Sequence, residues 1–388
     1  LGNIEERSIM STNGKPSEHW AIIGSSPCLL FEAIHLGYAG HKVTVIEKNS
    51  SIGGSWTTSD VGNWKGVDLG PHSMPLDHRG LRFFDEIDIK YHLDRNSDVV
   101  ALNRSVFGIN TISSKYKLVA GSVNNSLHVS KLRLAIRFLV AVAIETCTRL
   151  AGRGLKKDIH NIFPKYGLER MLDKIRTFMD DANVDVILNE EAQRVDFEAS
   201  GSKVNVATKS GQMLSFDKII FSSFTDVGEV AVDGVDQTLP EHIPSIQTQL
   251  QLTMKDSMAP MDGGRCKFPK GDPILRFMKD LTLYLPNSLD RTDAERVFVL
   301  FVKNEISTDQ QGVDEIMARL KGHGIVSSDA EALAWKWIFT DRKYRKPEDW
   351  TGLSDAAGNL FRFINTHPFG HSINDNVDRW LTTYRHHH

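Results

Sequence analysis

The hydrophobic pattern near the start of the chain alternates short apolar runs with one helical segment. Residues 19–23 (HWAII) form an apolar run typical of a buried parallel strand, and residues 42–47 (KVTVIE) form a second one. Between these runs, Pro27 suits the first turn of a helix, the apolar residues after it form one face, and Gly37 and Gly40 indicate its end. The order predicts a strand–helix–strand unit.

Later parts of the chain continue this alternation, which favours an α/β fold. Residues 80–93 and 166–189 each predict a helix followed by a strand, and residues 192–223 predict three strands separated by turns at Ser200–Gly201 and Ser210–Gly211. Further strands are expected within 97–120 and at 296–302, and an amphipathic helix at 312–324. The tail predicts a strand, a loop and a helix from about Ile373.

Composition narrows the class of protein. The chain has 388 residues, 40% of them hydrophobic and 24% charged, which indicates a large globular core and two joined domains. A net charge of -3 gives no electrostatic case for a nucleic-acid partner. Cys28, Cys147 and Cys266 share no close spacing, so we expect neither a metal site nor a disulfide framework, and a reducing, cytoplasmic location.

The two ends of the chain and one apolar segment bear on whether the protein is secreted or inserted into a membrane. Residues 1–9 and 386–388 are expected to be vector and tag sequence, with Met10 as the native start and no secretion signal near it. In residues 132–150, the uninterrupted apolar core is far shorter than the roughly 20 residues that span a bilayer. No transmembrane segment is therefore expected. This segment predicts a buried helix, with a lipophilic substrate wall or a membrane-surface helix as alternatives.

The turn after the first strand, GSSPCLL, carries the first chemical signal. Dinucleotide-binding turns place glycines at three positions, which here hold Gly24, Ser26 and Leu29. Gly24 keeps the tight bend, and the Ser26 hydroxyl is small and able to bind a phosphate. Leu29 is the largest departure from the three-glycine pattern, because the third glycine normally allows close packing of the helix on the strand. The helix N-terminus still offers an anion its N–H groups, so the pattern predicts a weakened dinucleotide site.

Glu47 supplies the second signal, 23 residues after Gly24 at the end of the next strand. A carboxylate there can accept hydrogen bonds from both ribose hydroxyls of an adenosine. An acidic residue at a strand end is otherwise a solvated charge. The turn before it and the glycine pair after it, Gly53–Gly54, favour ribose binding.

Together these residues resemble a known family. The stretch AIIGSSPCLLFEAIHLGYAGHKVTVIEKNSSIGGSW resembles the N-terminal signature of FAD-dependent oxidoreductases of the superfamily that contains amine oxidases, protoporphyrinogen oxidases, phytoene desaturases and UDP-galactopyranose mutases. VDLGPHSMP, with Asp68, is similar to that superfamily's loop beside the flavin. FPKYGLERMLDKI, the run from 186 to 223 and the tail from 359 to 380 are similar to its later FAD-binding segments.

The resemblance implies a set of cofactor-binding residues, spread over the turn, the second strand end, the glycine pair, the loop, one strand and the tail. They are Gly24, Ser25, Ser26, Pro27, Cys28, Glu47, Lys48, Gly53, Gly54, Ser55, Trp56, Gly70, Pro71, His72, Ala192, Gly370, Ser372, Ile373 and Asn374.

Catalysis would rest mainly on the flavin, with the protein orienting the substrate. His72 and His371 are the candidate catalytic residues, because a histidine can act as acid or base near neutral pH. The alternative for each is a structural role without catalysis. Residues 335–337 (WKW) and 342–346 (RKYRK) would frame an anionic substrate or form a solvated surface. The sequence has no P-loop, zinc-helix or nucleophile-elbow motif.

The predicted architecture is a Rossmann-like FAD-binding domain interleaved with a sheet-plus-helix substrate domain. The first takes residues 10–75, 160–230 and 350–385, and the second takes 76–159 and 231–349.

The first functional hypothesis is an FAD-dependent oxidoreductase, with a biosynthetic role, that removes a hydride from a small organic substrate at a C–N or C–C bond. The second is a flavin-dependent isomerase similar to sugar-nucleotide mutases. The third is a non-catalytic relative that does not hold FAD, which Ser26 and Leu29 favour. A homodimer is one open possibility for the oligomeric state.

Overall fold

The structure of the protein is a computed structural model. It describes residues 17–69, 74–75, 84–85, 88–98, 161–165, 167–198, 200–239, 241–258, 264–268, 272–282, 284–285, 294–303 and 306–364.

The strands, in chain order, are β1 His19–Ile23, β2 Lys42–Ile46, β3 Thr58–Val61, β4 Trp64–Asp68, β5 Met74–Pro75, β6 Tyr91–Asp98, β7 Asn161–Pro164, β8 Val184–Ile187, β9 Ala192–Glu198, β10 Lys203–Thr208, β11 Met213–Phe216, β12 Lys218–Ser222, β13 Glu229–Val232, β14 Val235–Asp236, β15 Ile243–Lys255, β16 Gly264–Lys267, β17 Leu275–Asp280, β18 Glu295–Val302, β19 Glu331–Tyr344 and β20 Phe361–Ile364. The helices are α1 Pro27–Tyr38, α2 Gly167–Asp181, α3 Gln310–Gly322 and α4 Thr351–Ala357, with short 3₁₀ turns at Gly54–Trp56, Pro347–Trp350 and Gly358–Leu360.

Contacts within the chain divide it into two compact units. Unit 1 comprises Leu1–Ser55, Leu172–Ser245 and Arg342–His388, and unit 2 comprises Trp56–Met171 and Ile246–Asp341. The FAD-binding and substrate-binding roles given to the two parts of the chain, and the boundaries given above for them, stay predictions.

Unit 1 is built on a five-stranded parallel sheet in the order β20-β12-β1-β2-β8. Four of the five residues of β1 and of β2 are buried, as the apolar runs predict for strands covered on both faces. Strand β1 lies between β2 and β12, so the order of the sheet reverses beside it. In open α/β sheets, ligands bind outside the carboxyl ends of strands at such a reversal.

Helix α1 packs closely on its surroundings through a glycine. The sequence predicted that Gly37 marks the end of the helix, whereas α1 continues through it to Tyr38. A Cβ atom on Gly37 would lie 2.4 Å from the carbonyl oxygen of Ala182. Gly37 is therefore a packing residue, and this close approach explains why no larger side chain fits there.

A second sheet in unit 1, in the order β11-β10-β9-β13-β14, shares a core with the parallel sheet. Aromatic rings fill that core, with the Phe221 ring centroid 5.4 Å from that of Trp350 and 5.2 Å from that of Phe361, both edge to face. Such edge-to-face arrangements are favoured by the ring quadrupoles, and they fix the relative positions of β12, β20 and the 3₁₀ turn Pro347–Trp350.

Unit 2 is built on an eight-stranded sheet in the order β19-β15-β18-β17-β16-β6-β7-β5. Strand β18 is buried on both faces: Phe298 and Leu300 belong to the cluster that includes residues of α3, and Val297 and Val299 to the cluster that includes residues of β3 and β4. Burial on both sides explains why residues 297–302 are continuously apolar although the sheet is antiparallel here.

The structure also corrects the placement of Asp68. The resemblance puts Val67 and Asp68 in a loop, whereas both belong to β4, which forms an antiparallel hairpin with β3. The strands predicted beyond residue 98, the apolar helix at 132–150 and the helix from Ile373 lie outside the described residues. Within the part of the chain that the structure describes, no helix is long and apolar enough to cross a membrane.

Gly37→Ala should destabilise unit 1 because the added methyl group would collide with the backbone of Ala182. We expect a loss of about 1–3 kcal/mol in the free energy of unfolding, the usual cost of overpacking. Gly352→Ala in α4 is the matched control, since nothing lies within 4 Å of its Cβ position. Denaturant unfolding of both variants measures the difference; equal stabilities would contradict the close packing of α1.

Candidate functional site

The turn between β1 and α1 has the backbone geometry of a dinucleotide-binding turn. Gly24 has φ +95°, which glycine adopts readily, and its N–H donates to the Ile46 carbonyl at 2.8 Å. Ser26 is the extended N-cap residue of α1, and Pro27 occupies the first turn. The N–H groups of Leu29 and Leu30 donate to the Ser26 carbonyl at 2.8 and 3.0 Å. The N-terminus of α1 thus follows the bend at the end of β1 directly.

Two features leave this turn suited to a phosphate. The Ser26 Oγ atom is buried and has no hydrogen-bond partner among the described residues, and its side chain does not cap the helix. Gly54, with φ +53°, approaches so closely that a Cβ atom there would lie 3.1 Å from the Ser26 Cα atom. A buried hydroxyl without a partner beside a helix N-terminus is a ready donor to an anion.

Leu29 fills the position where the third glycine of the turn is usual. Its side chain is buried, and its Cδ1 atom would lie 3.6 Å from a Cβ atom on Gly24, an ordinary van der Waals distance. The branched side chain is therefore accommodated at the contact of helix and strand without closing the bend.

The Glu47 carboxylate lies at the centre of a compact hydrogen-bond network, and its side chain is only 4% exposed. Its Oε2 atom accepts from the Ser25 N–H at 2.8 Å and from the Ser25 Oγ at 2.5 Å. Its Oε1 atom accepts from the Asn49 N–H at 2.8 Å and from the Asn49 Nδ2 at 2.6 Å. An ionised carboxylate has about four lone-pair sites, and all of them are used here by the protein itself.

The same network joins the glycine pair to the turn. The N–H of Gly53 donates to the Ser25 Oγ at 3.1 Å and to the Ser25 carbonyl at 3.2 Å. Gly24, Ser25, Ser26, Glu47 and the pair Gly53–Gly54, which the sequence singled out, are thus brought together.

Residues after β8 connect to the same strand end. The N–H of Glu190 donates to the Glu47 carbonyl at 3.0 Å, and that of Asn189 donates to the Asn49 carbonyl at 3.0 Å. Two residues later, Ala192 is buried and begins β9, where it pairs with Thr208. Ala192 therefore lies close in the chain to the residues that bond to the backbone of Glu47 and Asn49, and its place near an adenine stays a prediction.

Strand β12, which pairs with β1 in the parallel sheet, is followed by a cluster of charged residues. Asp226, which follows β12, has its Oδ2 4.0 Å from the Lys48 Nζ and its Oδ1 3.7 Å from the His242 Nε2. Burial, with Arg345 nearby, lowers the pKa of His242. The Arg345 N–H donates to the Ser223 carbonyl at 2.9 Å, and its guanidinium lies over the Trp350 ring. Part of the RKYRK segment is thus buried in the fold, while Lys343 is exposed.

Some of the other predicted residues are only partly buried or belong to unit 2, and the rest lie outside the described residues. Cys28 is half-buried in the first turn of α1, Ser55 is half-buried and Trp56 is buried in unit 2. In the WKW segment, Trp337 packs partly against the core of unit 2, and Trp335 is exposed. Both catalytic candidates lie outside the described residues, as do six further cofactor candidates: His72, His371, Gly70, Pro71, Gly370, Ser372, Ile373 and Asn374.

Sequence reasoning missed Asn49 and the cluster around Asp226. Asn49 stands two residues after Glu47, where a short amide can turn back onto the carboxylate, and that spacing was the available signal. His242 is distant in sequence from its partners, so no local pattern indicates it.

Unit 2 contains a buried carboxyl group of its own. Asp68 is fully buried; its Oδ1 accepts from the Leu168 N–H at 3.1 Å, whereas its Oδ2 has no hydrogen-bond partner in the part of the chain that the structure describes. Burial raises the pKa of Asp68 to about 7, although the Leu168 amide and the Lys279 ammonium oppose the rise. The Lys279 Nζ lies 3.5 Å from the centroid of the Phe163 ring.

Comparisons with known proteins agree with this geometry. A family model described as an NAD(P)-binding Rossmann-like domain matches residues 22–87. No curated protein matches the chain.

Among solved structures, a reduced UDP-galactopyranose mutase is similar with a TM-score of 0.59 at 11% identity, covering 89% of this chain and 88% of that one. Wild-type putrescine oxidase bound to putrescine is similar with a TM-score of 0.52 at 12% identity, covering 95% of this chain and 99% of that one. An oxidoreductase from Methanosarcina mazei is similar with a TM-score of 0.53 at 12% identity, covering 95% of this chain and 100% of that one.

These likenesses show the fold. The chain is an α/β protein with a Rossmann-like parallel sheet and additional sheets, in the fold shared by amine oxidase and UDP-galactopyranose mutase structures. The resemblance to the superfamily of FAD-dependent oxidoreductases is therefore confirmed at the level of the fold.

Asp68→Asn should change how stability depends on pH. Because the folded-state pKa of about 7 lies above the ordinary value of 3.8, the folded protein keeps a proton that the unfolded chain loses. The free energy of unfolding should therefore fall as pH rises from 4 to 7, by up to about 4 kcal/mol for a shift of this size. The variant should lose this fall, as measured by denaturant unfolding at several pH values.

Asp60→Asn provides the control. Asp60 lies in the neighbouring strand β3 and is exposed, and hydrogen bonds from Lys65 and the Gly66 N–H lower its pKa. The contribution of Asp60 to the free energy of unfolding is lost only as pH falls below about 4. A pH slope in Asp68→Asn equal to that of the unmodified protein would contradict a buried, protonated Asp68.

Proposed function

We propose that the protein is an FAD-dependent oxidoreductase that takes a hydride from a small organic substrate at a C–N or C–C bond. The observation that carries the proposal is the turn at the carboxyl end of β1. It combines the bend at Gly24, a helix N-terminus and an unpartnered Ser26 hydroxyl at the reversal of a parallel sheet.

The residues present fit the pyrophosphate end of a dinucleotide. Ser26 and the N-terminus of α1 would hold the phosphates, and Gly54 leaves room because any side chain there would press on Ser26. Ala192 would lie near the adenine, and Glu47 near its ribose. Bound FAD would supply the acceptor for the hydride, and the protein would supply binding and orientation.

The substrate side of the proposal rests on resemblance. An amine substrate is favoured by the shared fold with putrescine oxidase, whose structure contains putrescine. His72 and His371 stay the proposed catalytic residues, as the acid or base nearest the flavin ring. A biosynthetic role belongs to the same proposal.

A second candidate is a flavin-dependent isomerase of sugar nucleotides. The likeness to reduced UDP-galactopyranose mutase, at a TM-score of 0.59, favours it. A third candidate is a relative that holds no FAD, and the complete use of the Glu47 oxygens within the protein favours that one.

A spectrum of the purified protein, before and after addition of FAD, separates these candidates. A flavin band that a candidate amine bleaches under anaerobic conditions supports the oxidoreductase. Turnover only with pre-reduced flavin and no net electron transfer supports the isomerase. A protein that neither carries nor takes up FAD would refute the proposal.

Gly54→Ala should weaken FAD binding by about tenfold or more, which corresponds to ~1.4 kcal/mol. The added methyl group would press on the Ser26 backbone at 3.1 Å and disturb the turn. Gly358→Ala is the matched control: Gly358 has a similar φ of +56°, but nothing lies within 4 Å of its Cβ position. Both variants share the cost of the positive φ, so only the affinity for FAD, measured by flavin fluorescence, should separate them. Equal affinities would argue against phosphate binding at Ser26.

A further inference from the structure

The Glu47 carboxylate, the proposed ribose acceptor, has no lone-pair site left for another donor. Four donors fill its lone-pair sites, and the side chain is buried. A ribose offers two hydroxyl donors, and each needs one of those sites. A dinucleotide can therefore reach Glu47 only if donors of the protein leave it.

The four donors fall into two kinds. The N–H groups of Ser25 and Asn49 belong to the backbone, which further hydrogen bonds from Gly53 and Asn189 hold in place. The Ser25 hydroxyl and the Asn49 amide are side-chain groups that rotate about single bonds. Each oxygen of Glu47 thus has one fixed donor and one movable donor, which matches the two hydroxyls of one ribose.

We propose that the side chains of Asn49 and Ser25 occupy the ribose-hydroxyl positions at Glu47, and that binding of an adenosine dinucleotide displaces them, Asn49 first. This rests on the proposed function, because it concerns the affinity of the same site. Asn49 is exposed, so its amide exchanges Glu47 for water when it rotates away. Ser25 is buried, and its hydroxyl also accepts the Gly53 N–H, so it moves less freely.

The physical consequence is an internal competitor for the ligand. Each hydrogen bond to a charged group that the ligand must replace lowers its affinity, since the free protein already has that bond. Removing the Asn49 amide leaves Oε1 with one fixed donor and water. Ligands that carry a ribose diol should then bind more tightly, whereas ligands without one should not.

The test uses the full chain and compares Asn49→Ala with the unmodified protein. Dissociation constants for FAD, ADP and inorganic pyrophosphate are measured by calorimetry. We expect Asn49→Ala to bind FAD and ADP about tenfold more tightly and pyrophosphate with unchanged affinity. Ser50→Ala, at an exposed neighbouring position, is the control and should leave all three constants unchanged.

A second background tests whether the gain passes through Glu47. In Glu47→Gln, the acceptor is neutral and offers a single oxygen, so adding Asn49→Ala should give no gain in ADP affinity. Thermal unfolding of each variant without ligand shows whether it is folded. Ser25→Ala is a second test variant, because it removes the hydroxyl donor from Oε2 and keeps the Gly53–Ser25 backbone bond. We expect it, like Asn49→Ala, to bind FAD and ADP more tightly and pyrophosphate with unchanged affinity.

The outcomes separate the inference from the proposed function. If the unmodified protein binds FAD and Asn49→Ala and Ser25→Ala bind ADP no more tightly, the inference is overturned and the proposed function stands. If pyrophosphate affinity rises as much as ADP affinity, the side chains do not compete with ribose, and the inference is again overturned. If neither the unmodified protein nor any variant binds FAD or ADP, the proposed function fails and the inference fails with it.

Discussion

The hydrogen bonds between Glu47 and Ser25 join the carboxyl ends of the two central strands of unit 1. A buried carboxylate is stable only when its oxygens are bonded, and here the turn after β1 and the residues after β2 provide the donors. The same contact positions Ser26 at the N-terminus of α1 and draws Gly53–Gly54 onto the turn. The candidate phosphate site therefore depends on the charge of a residue that belongs to another strand.

Unit 2 satisfies its buried charges in a different way. Arg296 is fully buried and bonds to both Asp256 and Asp280, so opposite charges compensate each other. Within the described ranges the two oxygens of Asp68 share one hydrogen bond, and the Lys279 ammonium lies against the Phe163 and Tyr284 rings. Such a carboxyl group gains more from keeping its proton than from ionising, which is the reason for its raised pKa.

Much of the fold of unit 1 follows from the sequence, because β1 and β2 are almost wholly buried and α1 has a clear start at Pro27. Strand β1 matches the apolar run at 19–23, and Gly24 and Glu47 fall at the strand ends where the pattern places them. The role of Gly37 did not follow, because its neighbour Ala182 is distant in sequence. Hairpin β3–β4 was missed since Thr58–Val61 carries few apolar residues, and its burial comes from partners elsewhere in unit 2. The sequence also could not predict that four donors of the protein fill the Glu47 oxygens, because this depends on how the side chains of Ser25 and Asn49 rotate.

A crystal structure of the protein with ADP would test the central claim, that unit 1 holds an adenosine dinucleotide at the turn after β1 and at Glu47. We expect the diphosphate beside Ser26 and the ribose hydroxyls on the Glu47 oxygens, with the Asn49 amide turned away from its 2.6 Å contact. ADP bound elsewhere, or bound at the turn with all four donors still on Glu47, would contradict it.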